Sequence, residues 1–452
     1  MLDLDFIRKN PDLVKKTLEN RQILNINLDD FLALDLRCRE VLGLLEVKRA
    51  LRNSLSRAVA KVSDSKKEEL IKEAGIIKAD IKELEEEYSD LAAKVREIHI
   101  RIPNVPSEEM PIGKGEEDNI VLKVWLPEQG YLTAKRPAEH LDYSDFSYMP
   151  KTTFEHKDHV TLGEELDLID VKQSALVSGS RFCYLKNEAV LLQEAVFSLL
   201  KKHLLEKGYM PMMPPLLVRE QALFGTSHFP EGREYVYKVE NFNVEENNDL
   251  YLVGSSEPSN FSYFMDKVLD VESLPIRLYA QTTCFRSEVG SWGKDVRGIK
   301  RVHQFDKVEM NAVCTPDQSR RIYDEFVENN EWMLQQLKLP YRIINKCTAD
   351  AGYSASHLQY DFDYWRPGER EFMEGGTATF TTDYQARRLN IRYKSGSGSY
   401  FAHTVNDTGA TTRVVIAILE NYQQPDGSVI IPEVLRPYMG GREKIVRNGV
   451  KK

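Results

Sequence analysis

The chain has 452 residues, enough for up to about three domains, and 42% of them are hydrophobic, which suffices for a large core. Lys and Arg number 61 against 70 Asp and Glu, so the net charge of -9 argues against a protein that coats polyanions indiscriminately and leaves room for a local basic surface. The five cysteines are scattered without a CxxC pair, which argues against a disulfide framework and a structural zinc site.

No targeting or membrane segment is predicted from the sequence. The N-terminus carries Asp3 and Asp5 and has no apolar run before Pro11, unlike a secretory signal or an Arg-rich transit peptide. No window approaches the about 18 apolar residues of a membrane span. We therefore expect a cytoplasmic protein that does not contact a membrane.

The N-terminal part, residues 1–105, is predicted to be helical. After a short helical lead-in over residues 1–27, residues 28–102 have the pattern of two long helices. The polar residues 63–65 separate these helices, so the chain is predicted to double back as an antiparallel coiled coil, an arm of roughly 50 Å. The second helix has an apolar seam with a seven-residue repeat, formed by Leu70, Ala74, Ile77, Ile81, Leu84, Tyr88, Leu91, Val95, Ile98 and Ile102.

Two roles are open for this arm. Its heptad pattern by itself favours a spacer or an oligomerisation device. Its charges favour contact with the phosphates of an extended RNA, because the first helix is rich in basic residues and the second in acidic ones. The candidate RNA contacts are Arg37, Arg49, Arg52 and Arg57.

Prolines that follow residue 102 mark the boundary to a second domain, residues 106–452. In this domain the sequence predicts a strand at Val121–Trp125. It also predicts an amphipathic helix at about Asn187–Lys207, ended by a glycine and followed by an edge strand. His156 and His159 have no carboxylate framework in the sequence and are expected on the surface rather than in a site.

Residues Thr282–Met310 predict a β-hairpin that carries chemistry. Two segments rich in β-branched and aromatic residues flank a charged loop that contains glycines. Alternate side chains of a strand share a face, so Arg286 and Glu288 are expected to point the same way. One face of the second strand offers a cation, an aromatic ring and a carboxylate, which suits a nucleotide; a solvated face of alternating charge is the alternative. These side chains are Arg301, Phe305 and Glu309.

Three further segments contain candidate site residues. In LYLVGSSEPSN a strand ends in Ser255 and Glu257, which we expect on one face. FMEGGTATFTTDYQARRLNIRY contains Glu374, by itself one acid among 70. HTVNDTGATTRVVIAILENYQ predicts a loop and then Arg413 at the start of an apolar helix, where the helix dipole also attracts phosphate.

The hairpin resembles a known family. FRSE, a loop and RVHQFDKVE are similar to the second signature motif of the class II aminoacyl-tRNA synthetases, and FRSEVGSWGKDVRG is most similar to seryl-tRNA synthetases. Residues 177–218 resemble motif 1, whose helix and strand form the dimer interface and whose proline corresponds to Pro215, and the segment around Arg413 resembles motif 3. The resemblance extends from LDLDFIRKN near the start to IPEVLRPYMGG near the end.

The resemblance implies an α+β fold, in which an antiparallel sheet is flanked by helices and preceded by the helical arm. The sequence has no GxxxxGKS and no GxGxxG after a first strand, the motifs of parallel-sheet nucleotide folds. The resemblance also implies that ATP and Mg²⁺ bind, with Arg286, Arg413 and Glu374 as catalytic residues and Glu374 with Thr377 as metal ligands. The implied ATP site consists of Arg286, Glu288, Arg301, Phe305, Glu374, Thr377 and Arg413.

The implied site departs from the family pattern at three places. Residues 375–382 differ from the common wording, with Thr377 in place of a serine, and residues 406–413 are one residue shorter than the family pattern. The departures at residues 375–382 and 406–413 leave open whether amino-acid selectivity differs from that of the family. The implied serine site consists of Ser255, which replaces a threonine, Glu257, Arg286, Glu309 and Thr408.

The implied function is that of a homodimeric serine-tRNA ligase. Such an enzyme activates L-serine with ATP to seryl adenylate and pyrophosphate and transfers serine to the 3′ end of tRNA(Ser), with tRNA(Sec) as an open second acceptor. The arm would grip the tRNA, and the loop at residues 289–300 would rearrange as the acceptor end arrives. Two alternatives remain: an amino-acid:carrier-protein ligase, which should lack the arm, and a non-catalytic RNA-binding paralogue, which should have lost ATP-binding residues.

Overall fold

The protein consists of two compact units. The computed structural model describes residues 1–59, 64–132, 146, 148–149, 153–240, 249–289, 297–352 and 354–447. The units are Met1–Val105 and Pro106–Lys452. Ser63 of the predicted turn and residues 290–296 of the hairpin loop lie outside the described residues.

The first unit is helical, as its sequence pattern predicts. Helices α1 (Leu4–Lys9) and α2 (Pro11–Asn20) form the lead-in, and α3 (Leu28–Val59) and α4 (Asp64–His99) are the two long helices. Their 32 and 36 residues correspond to lengths of about 48 and 54 Å. α4 begins at Asp64, so residues 64 and 65 of the predicted polar break belong to the helix.

The two long helices pack along the predicted apolar seam. Leu45 of α3 is buried with Ile77 and Ile81 of α4, and Leu55 and Leu84 are partly buried against them. Ile77 and Ile81 are four residues apart, so they lie on the same face of α4. The antiparallel coiled-coil hairpin that the heptad pattern predicts is therefore confirmed.

Ion pairs also join the two long helices. Arg37 and Arg49, two of the candidate RNA contacts, belong to these pairs, whereas Arg52 donates a long hydrogen bond of 3.4 Å to Asn53 and Arg57 is exposed. Exposed pairs of this kind contribute at most about 1 kcal/mol each, so they restrain the arginines only weakly. The pairs are Arg37–Glu87 at 2.7 Å, Lys48–Asp80 at 2.6 Å and Arg49–Glu85 at 2.7 Å.

The second unit contains helices and strands in alternation. Its helices are α5 (His159–Glu165), α6 (Val171–Ser178), α7 (Glu188–Glu206), α8 (Glu220–Gly225), α9 (Glu257–Ser262), α10 (Pro316–Gln336), α11 (Tyr384–Leu389) and α12 (Arg413–Tyr422). In the described part of the chain, no helix has the length and apolar character that crossing a lipid bilayer requires.

The strands of this unit include the predicted strand and hairpin. They are β1 (Ile120–Leu126), β2 (Gly130–Leu132), β3 (Ile169–Asp170), β4 (Tyr184–Leu185), β5 (Met210–Met212), β6 (Leu217–Arg219), β7 (Lys238–Val239), β8 (Leu250–Leu252), β9 (Val268–Asp270), β10 (Ile276–Phe285), β11 (Gln304–Cys314), β12 (Tyr341–Asn345), β13 (Leu358–Arg366), β14 (Glu371–Thr382), β15 (Arg392–Ser395), β16 (Gly398–Phe401), β17 (His403–Thr411), β18 (Val429–Ile430) and β19 (Lys444–Ile445).

The main sheet is antiparallel, as predicted, with one exception at its edge. Within the described residues nine strands form it, in the order β2, β1, β12, β13, β14, β17, β11, β10 and β5. The edge strand β5 runs parallel to β10, and the other neighbours are antiparallel. The predicted helix at about Asn187–Lys207 is α7, which supplies much of the core beside the sheet.

Helix α10 covers one face of the sheet centre and leaves the other for a site. Side chains of α10 donate hydrogen bonds to the Met310 sulfur on β11 and to Oδ1 of Asp407 on β17. Successive side chains of a strand point to opposite faces, so the neighbouring Glu309 and Thr408 point away from α10. The fold thus directs candidate site residues from adjacent strands to one face.

Candidate active site

An open crevice lies on the face of the main sheet opposite α10. Its walls come from β11, β14 and β17, which are close neighbours in the sheet, and from the start of α12. Residues more than 120 positions apart in the sequence therefore meet there. The predicted site residues that line it are Arg286, Glu288, Arg301, Phe305, Glu374, Thr408 and Arg413.

Three candidate site residues of the hairpin lie just outside its two strands. β10 ends just before Arg286, and β11 begins at Gln304, so Arg286, Glu288 and Arg301 belong to the connecting segment. The prediction of a common strand face for Arg286 and Glu288 is wrong, as is the placement of Arg301 on the strand of Phe305. Glu288 has a φ of 50°, which ends the strand alternation and turns its carboxylate to 3.9 Å from Arg301 Nε.

Phe305 and Arg286 form an aromatic and cationic pair at one end of the crevice. The guanidinium carbon of Arg286 lies 5.2 Å from the centroid of the Phe305 ring. Arg286 Nε donates a hydrogen bond of 3.2 Å to the carbonyl oxygen of Gly254, which holds the side chain in place. A ring for stacking beside a guanidinium for phosphate is an arrangement that suits a nucleotide.

Arg413 forms the opposite wall and is the first residue of α12, as predicted. The predicted loop before it is wrong, because β17 continues to Thr411. Arg413 Nη1 donates to the carbonyl oxygen of Glu374 at 2.8 Å and lies 3.3 Å from its Oε1, while Nε donates to the carbonyl oxygen of Lys300 at 2.9 Å. The guanidinium is thus fixed in orientation at a helix N-terminus, where anions are favoured.

Thr408 lies beside a β-bulge in the segment that is shorter than the family pattern. β11 pairs Val308 with Ala410 and Glu309 with Thr408, so Gly409 has no partner in the ladder. The extra residue changes the alternation of β17, which determines the face of the sheet to which Thr408 points.

Ser255 lies in a turn between a strand and a helix, and Glu257 is the first residue of that helix, so the prediction that they share a strand face is wrong. β8 ends at Leu252 and α9 begins at Glu257. Within this turn, Ser255 Oγ donates a short hydrogen bond to Glu309 Oε2, which also accepts from the backbone N–H of Ser256 at 3.1 Å and from its Oγ at 3.2 Å. The turn therefore surrounds the Glu309 carboxylate with donors.

Lys307 is a site residue that the sequence analysis missed. It lines the crevice although only 4% of its side-chain surface is exposed, and its Nζ lies 2.8 Å from Glu309 Oε2. The same Nζ lies 3.0 Å from Ser255 Oγ and 3.4 Å from Thr408 Oγ1. Strand alternation places Lys307 on the face of Phe305 and Glu309, so the pattern that identified those two residues could have identified it.

Glu257 is a buried carboxyl held by two amides. Its Oε1 accepts from Gln385 Nε2 at 2.6 Å and from Asn406 Nδ2 at 2.9 Å. Burial, reinforced by the nearby charge of Glu309, raises the pKa of Glu257 to about 8. A carboxyl in this state can accept a cationic ligand by releasing its proton.

A β-bulge brings Glu374 and Thr377 to one face of the sheet. Three positions apart, they would face opposite sides of a regular strand, but Gly375 has no partner in the ladder between β13 and β14. A Cβ at position 375 would lie 2.0 Å from the Tyr364 ring, so only glycine fits the bulge. The cross-strand partner of Thr377 is Asp361, whose Oδ1 accepts from Thr377 Oγ1 at 2.8 Å.

These residues suit a hydrated divalent cation bound together with phosphates. Burial, reinforced by the charge of Glu374, raises the pKa of Asp361 to about 7. In the crevice, reduced solvation alone would raise the pKa of Glu374, but the charges of Arg413 and Lys346 outweigh it and lower that pKa. Within the described residues, no three His, Cys, Asp or Glu side chains form a metal cluster. Mg²⁺ commonly uses one or two carboxylates and completes its shell with water and substrate phosphates.

Comparisons with known families cover both units. Residues 237–422 match the family model described as "tRNA synthetase class II core domain (G, H, P, S and T)". Residues 1–106 match the model described as "Seryl-tRNA synthetase N-terminal domain". The match to the core domain contains β10, β11, β14 and β17 and hence most of the crevice.

Similar proteins match along almost the whole chain. "Serine--tRNA ligase" of Thermomicrobium roseum is 37% identical over 454 residues, covering 99% of this chain and 95% of that protein. The protein of the same name from Staphylococcus haemolyticus is 38% identical over 451 residues, covering 98% and 99%. The crystal structure of seryl-tRNA synthetase from Pyrococcus horikoshii complexed with ATP is 35% identical, with a TM-score of 0.88, and covers 99% of this chain and 100% of that chain. The chain therefore belongs to the seryl-tRNA synthetase family of class II aminoacyl-tRNA synthetases.

Proposed function

We propose that the protein is a serine-tRNA ligase, which activates L-serine with ATP and transfers it to tRNA(Ser). The observation that carries this proposal is the crevice, in which guanidinium, aromatic and carboxylate side chains from the motif 2 hairpin, from β14 and from the motif 3 segment line one space. Relatives of this name match it over almost their whole length, and a related structure contains ATP. The retained ATP-site residues argue against a non-catalytic paralogue, and the N-terminal unit argues against a carrier-protein ligase.

Adenylation requires that ATP and serine be held for an in-line displacement. The serine carboxylate oxygen attacks the α-phosphorus, a new P–O bond forms, and pyrophosphate leaves. We assign the α-phosphate to Arg286, the adenine ring to Phe305 with Glu288 at its amino group, and the distal phosphates to Arg301 and Arg413. Guanidinium groups fixed by backbone carbonyls stabilise the charge that develops on phosphoryl oxygens without reorganisation, so no general base is needed in this step.

The buried polar cluster behind the crevice suits the amino acid. We assign the serine ammonium to Glu257 and Glu309, with Ser255 positioning Glu309, and the serine hydroxyl to Thr408. Lys307 lies between Glu309 and Thr408 and adds a cation for the serine carboxylate or the α-phosphate. In the transfer step, a hydroxyl of the 3′-terminal adenosine of tRNA attacks the seryl carbonyl and AMP leaves.

Mg²⁺ is assigned to Glu374 and Thr377, with Asp361 as the residue that orients Thr377. When bound, the ion would neutralise phosphate charge and draw electron density from the phosphoryl oxygens. The bulge at Gly375 is the feature that supports this assignment, because it turns the carboxylate and the hydroxyl to one face.

The N-terminal unit is assigned to tRNA binding through Arg37, Arg49, Arg52 and Arg57 of α3. Polyanion binding releases counterions, so loss of a contacting arginine should weaken the salt dependence of binding. As the compartment we propose the cytoplasm, where tRNA is charged for translation.

We also propose that the protein is a homodimer built on the motif 1 segment. This segment exposes several apolar side chains, of which Met213 is 94% exposed. Analytical ultracentrifugation of the wild type and of Met213→Glu tests this, and a monomeric wild type at micromolar concentration would contradict it. The exposed apolar residues are Val190, Leu191, Leu205, Met210, Met213 and Leu217.

The experiment that tests the function is amino-acid-dependent exchange between ATP and pyrophosphate with serine, threonine, alanine and glycine. We expect exchange with serine, its loss in Arg286→Ala, and normal exchange in Arg442→Ala, an exposed arginine outside the crevice. A site that hydrogen-bonds a hydroxyl rejects alanine well, whereas threonine must be excluded by sterics alone. Absence of exchange with all four amino acids would refute the proposed function.

A further inference from the structure

A buried histidine outside the crevice contacts the backbone of the segment that carries Arg301. His159, the first residue of α5, has only 2% of its side-chain surface exposed, so its expected surface position is wrong. Its Nε2 accepts a hydrogen bond of 3.4 Å from the backbone N–H of Ile299. Ile299 and Lys300 both line the crevice, immediately before Arg301.

The contacts of His159 define which ring nitrogen carries the proton. A backbone N–H can only donate, so Nε2 must be the nitrogen without hydrogen, and the proton lies on Nδ1. Nδ1 faces Oε1 of Glu420 at 3.3 Å and Nη2 of Arg366 at 3.4 Å, and the backbone N–H of His159 donates to the same Glu420 oxygen at 3.1 Å. With the proton on Nδ1 the ring donates to the carboxylate, and Arg366 Nη2 donates to that carboxylate instead of to the ring. The ring is therefore held as an acceptor directed at Ile299.

Glu420 is itself fixed by a buried arginine. The side chains of Glu420 and Arg366 have no exposed surface, and Arg366 Nη2 donates to Glu420 Oε1 at 3.1 Å. The backbone N–H of Gly368 donates to Oε2 at 3.2 Å. With both oxygens engaged, the carboxylate has one orientation, and this orientation determines that of the His159 ring.

The segment passes so closely over the ring that the contact needs a glycine. At Gly298, whose φ is +77°, a Cβ would lie 2.1 Å from His159 Nε2. The left-handed backbone conformation and the close approach both favour glycine at this position. The fit between residue 298 and the imidazole is thus an independent sign that the ring serves as a support for this segment.

The segment supported by His159 reaches both sides of the phosphate site. Arg301 follows directly, and the carbonyl oxygen of Lys300 accepts from Arg413 Nε at 2.9 Å. Lys300 Nζ also pairs at 2.9 Å with Glu371, the first residue of β14 and the cross-strand partner of Arg366. A shift of residues 298–300 would therefore displace both guanidinium groups that we assign to the distal phosphates of ATP.

We propose that His159 is a positioning residue for ATP: as a neutral acceptor oriented by Glu420, it fixes residues 298–300 and through them Arg301 and Arg413. This inference rests on the proposed function, because it concerns the ATP site of that reaction. In this role His159 needs no contact with the substrate. The role also gives a task to the buried polar network of His159, Glu420 and Arg366, which the chemistry itself does not use.

Two substitutions separate this task from a purely structural one. In His159→Gln the amide oxygen can reach the place of Nε2 and accept from Ile299, whereas in His159→Asn the amide N–H₂ can reach the place of Nδ1 and donate to Glu420. We expect the KM for ATP to rise by about 10- to 100-fold in His159→Asn and by less than about threefold in His159→Gln, with the KM for serine unchanged in both. We expect His159→Asn to be more thermally stable than His159→Gln, since its amide N–H₂ still donates to the buried carboxylate of Glu420.

Equal KM values for ATP in the two variants, or a ranking that follows their stability, would overturn the proposal. A wild-type measurement avoids dependence on how well the variants fold: a long-range ¹⁵N–¹H spectrum of the nine histidines should contain an Nδ1–H tautomer for His159, recognised by its disappearance in either variant. An Nε2–H tautomer at His159 would also overturn it. The rise of the wild-type unfolding midpoint with ATP reports ATP binding without catalysis. Failure of serine-dependent exchange would therefore refute the proposed function without deciding the role of His159 in ATP binding.

Discussion

Replacing Lys307 by methionine should destabilise the second unit strongly, because it leaves a carboxylate buried without its cation. Lys307 and Glu309 are 4% and 2% exposed, and their charged atoms lie 2.8 Å apart. At an effective dielectric constant of about 20 their attraction is about 6 kcal/mol, before the cost of desolvation is subtracted. Breaking a buried pair typically costs about 3–5 kcal/mol, and three other donors remain on Glu309 Oε2, so we expect a loss of about 3 kcal/mol.

Urea unfolding followed by tryptophan fluorescence measures this loss in the relevant unit, because all four tryptophans lie within residues 106–452. The double variant Lys307→Met/Glu309→Gln should recover about 2 kcal/mol relative to the sum of the single variants. Lys202→Met is the matched control: its pair with Glu206 is 65% and 66% exposed, so the loss should stay below about 0.5 kcal/mol. A loss below about 1 kcal/mol in Lys307→Met, or additive single effects, would refute the reasoning.

Three further predictions concern substrates. The pKa of Glu257 is raised to about 8, and a bound ammonium favours its ionised form, so the KM for serine should rise about tenfold per pH unit as the pH falls below 8. In pyrophosphate exchange, Glu257→Gln should remove this dependence of KM on pH. An unchanged dependence in the variant contradicts the assignment. Glu374→Gln should raise the Mg²⁺ concentration for half-maximal exchange at least about tenfold, and equal Mg²⁺ dependence would exclude it as a ligand. Arg52→Ala should weaken tRNA binding more than Arg49→Ala, which already pairs with Glu85, and lower the slope of log affinity against log salt by about one; identical slopes in filter binding would exclude Arg52 as a phosphate contact.

The sequence predicts those parts of the structure that depend on near neighbours in the chain. The heptad seam predicts the packing of α3 on α4, because residues four apart on a helix share a face regardless of what else the chain does. The apolar pattern of α7 and the strand character of β10 and β11 are local in the same sense. Strand alternation also places Phe305 and Glu309 on one face, and it would have included Lys307 had it been applied to every second residue.

Tertiary structure decides where regular alternation stops. Glu374 and Thr377 share a face only because Gly375 forms a bulge, and the Tyr364 ring of the neighbouring strand approaches so closely that only glycine fits there. Glu288 leaves the alternation through its positive φ, and Ser255 lies in a turn to a helix rather than on a strand. Sequence periodicity carries no information about such interruptions, because one inserted residue reverses every later side chain.

Tertiary structure alone also decides which distant polar groups become partners. His159 and Glu420 are 261 positions apart and neither has a local pattern that marks it, yet the fold buries them side by side as hydrogen-bond partners. A polar group that loses water must find a hydrogen bond wherever the fold supplies one, so such pairs follow from packing. The sequence by itself determined the family, the helical arm and most of the residues that line the crevice, whereas the fold determined their orientation and the buried network behind them.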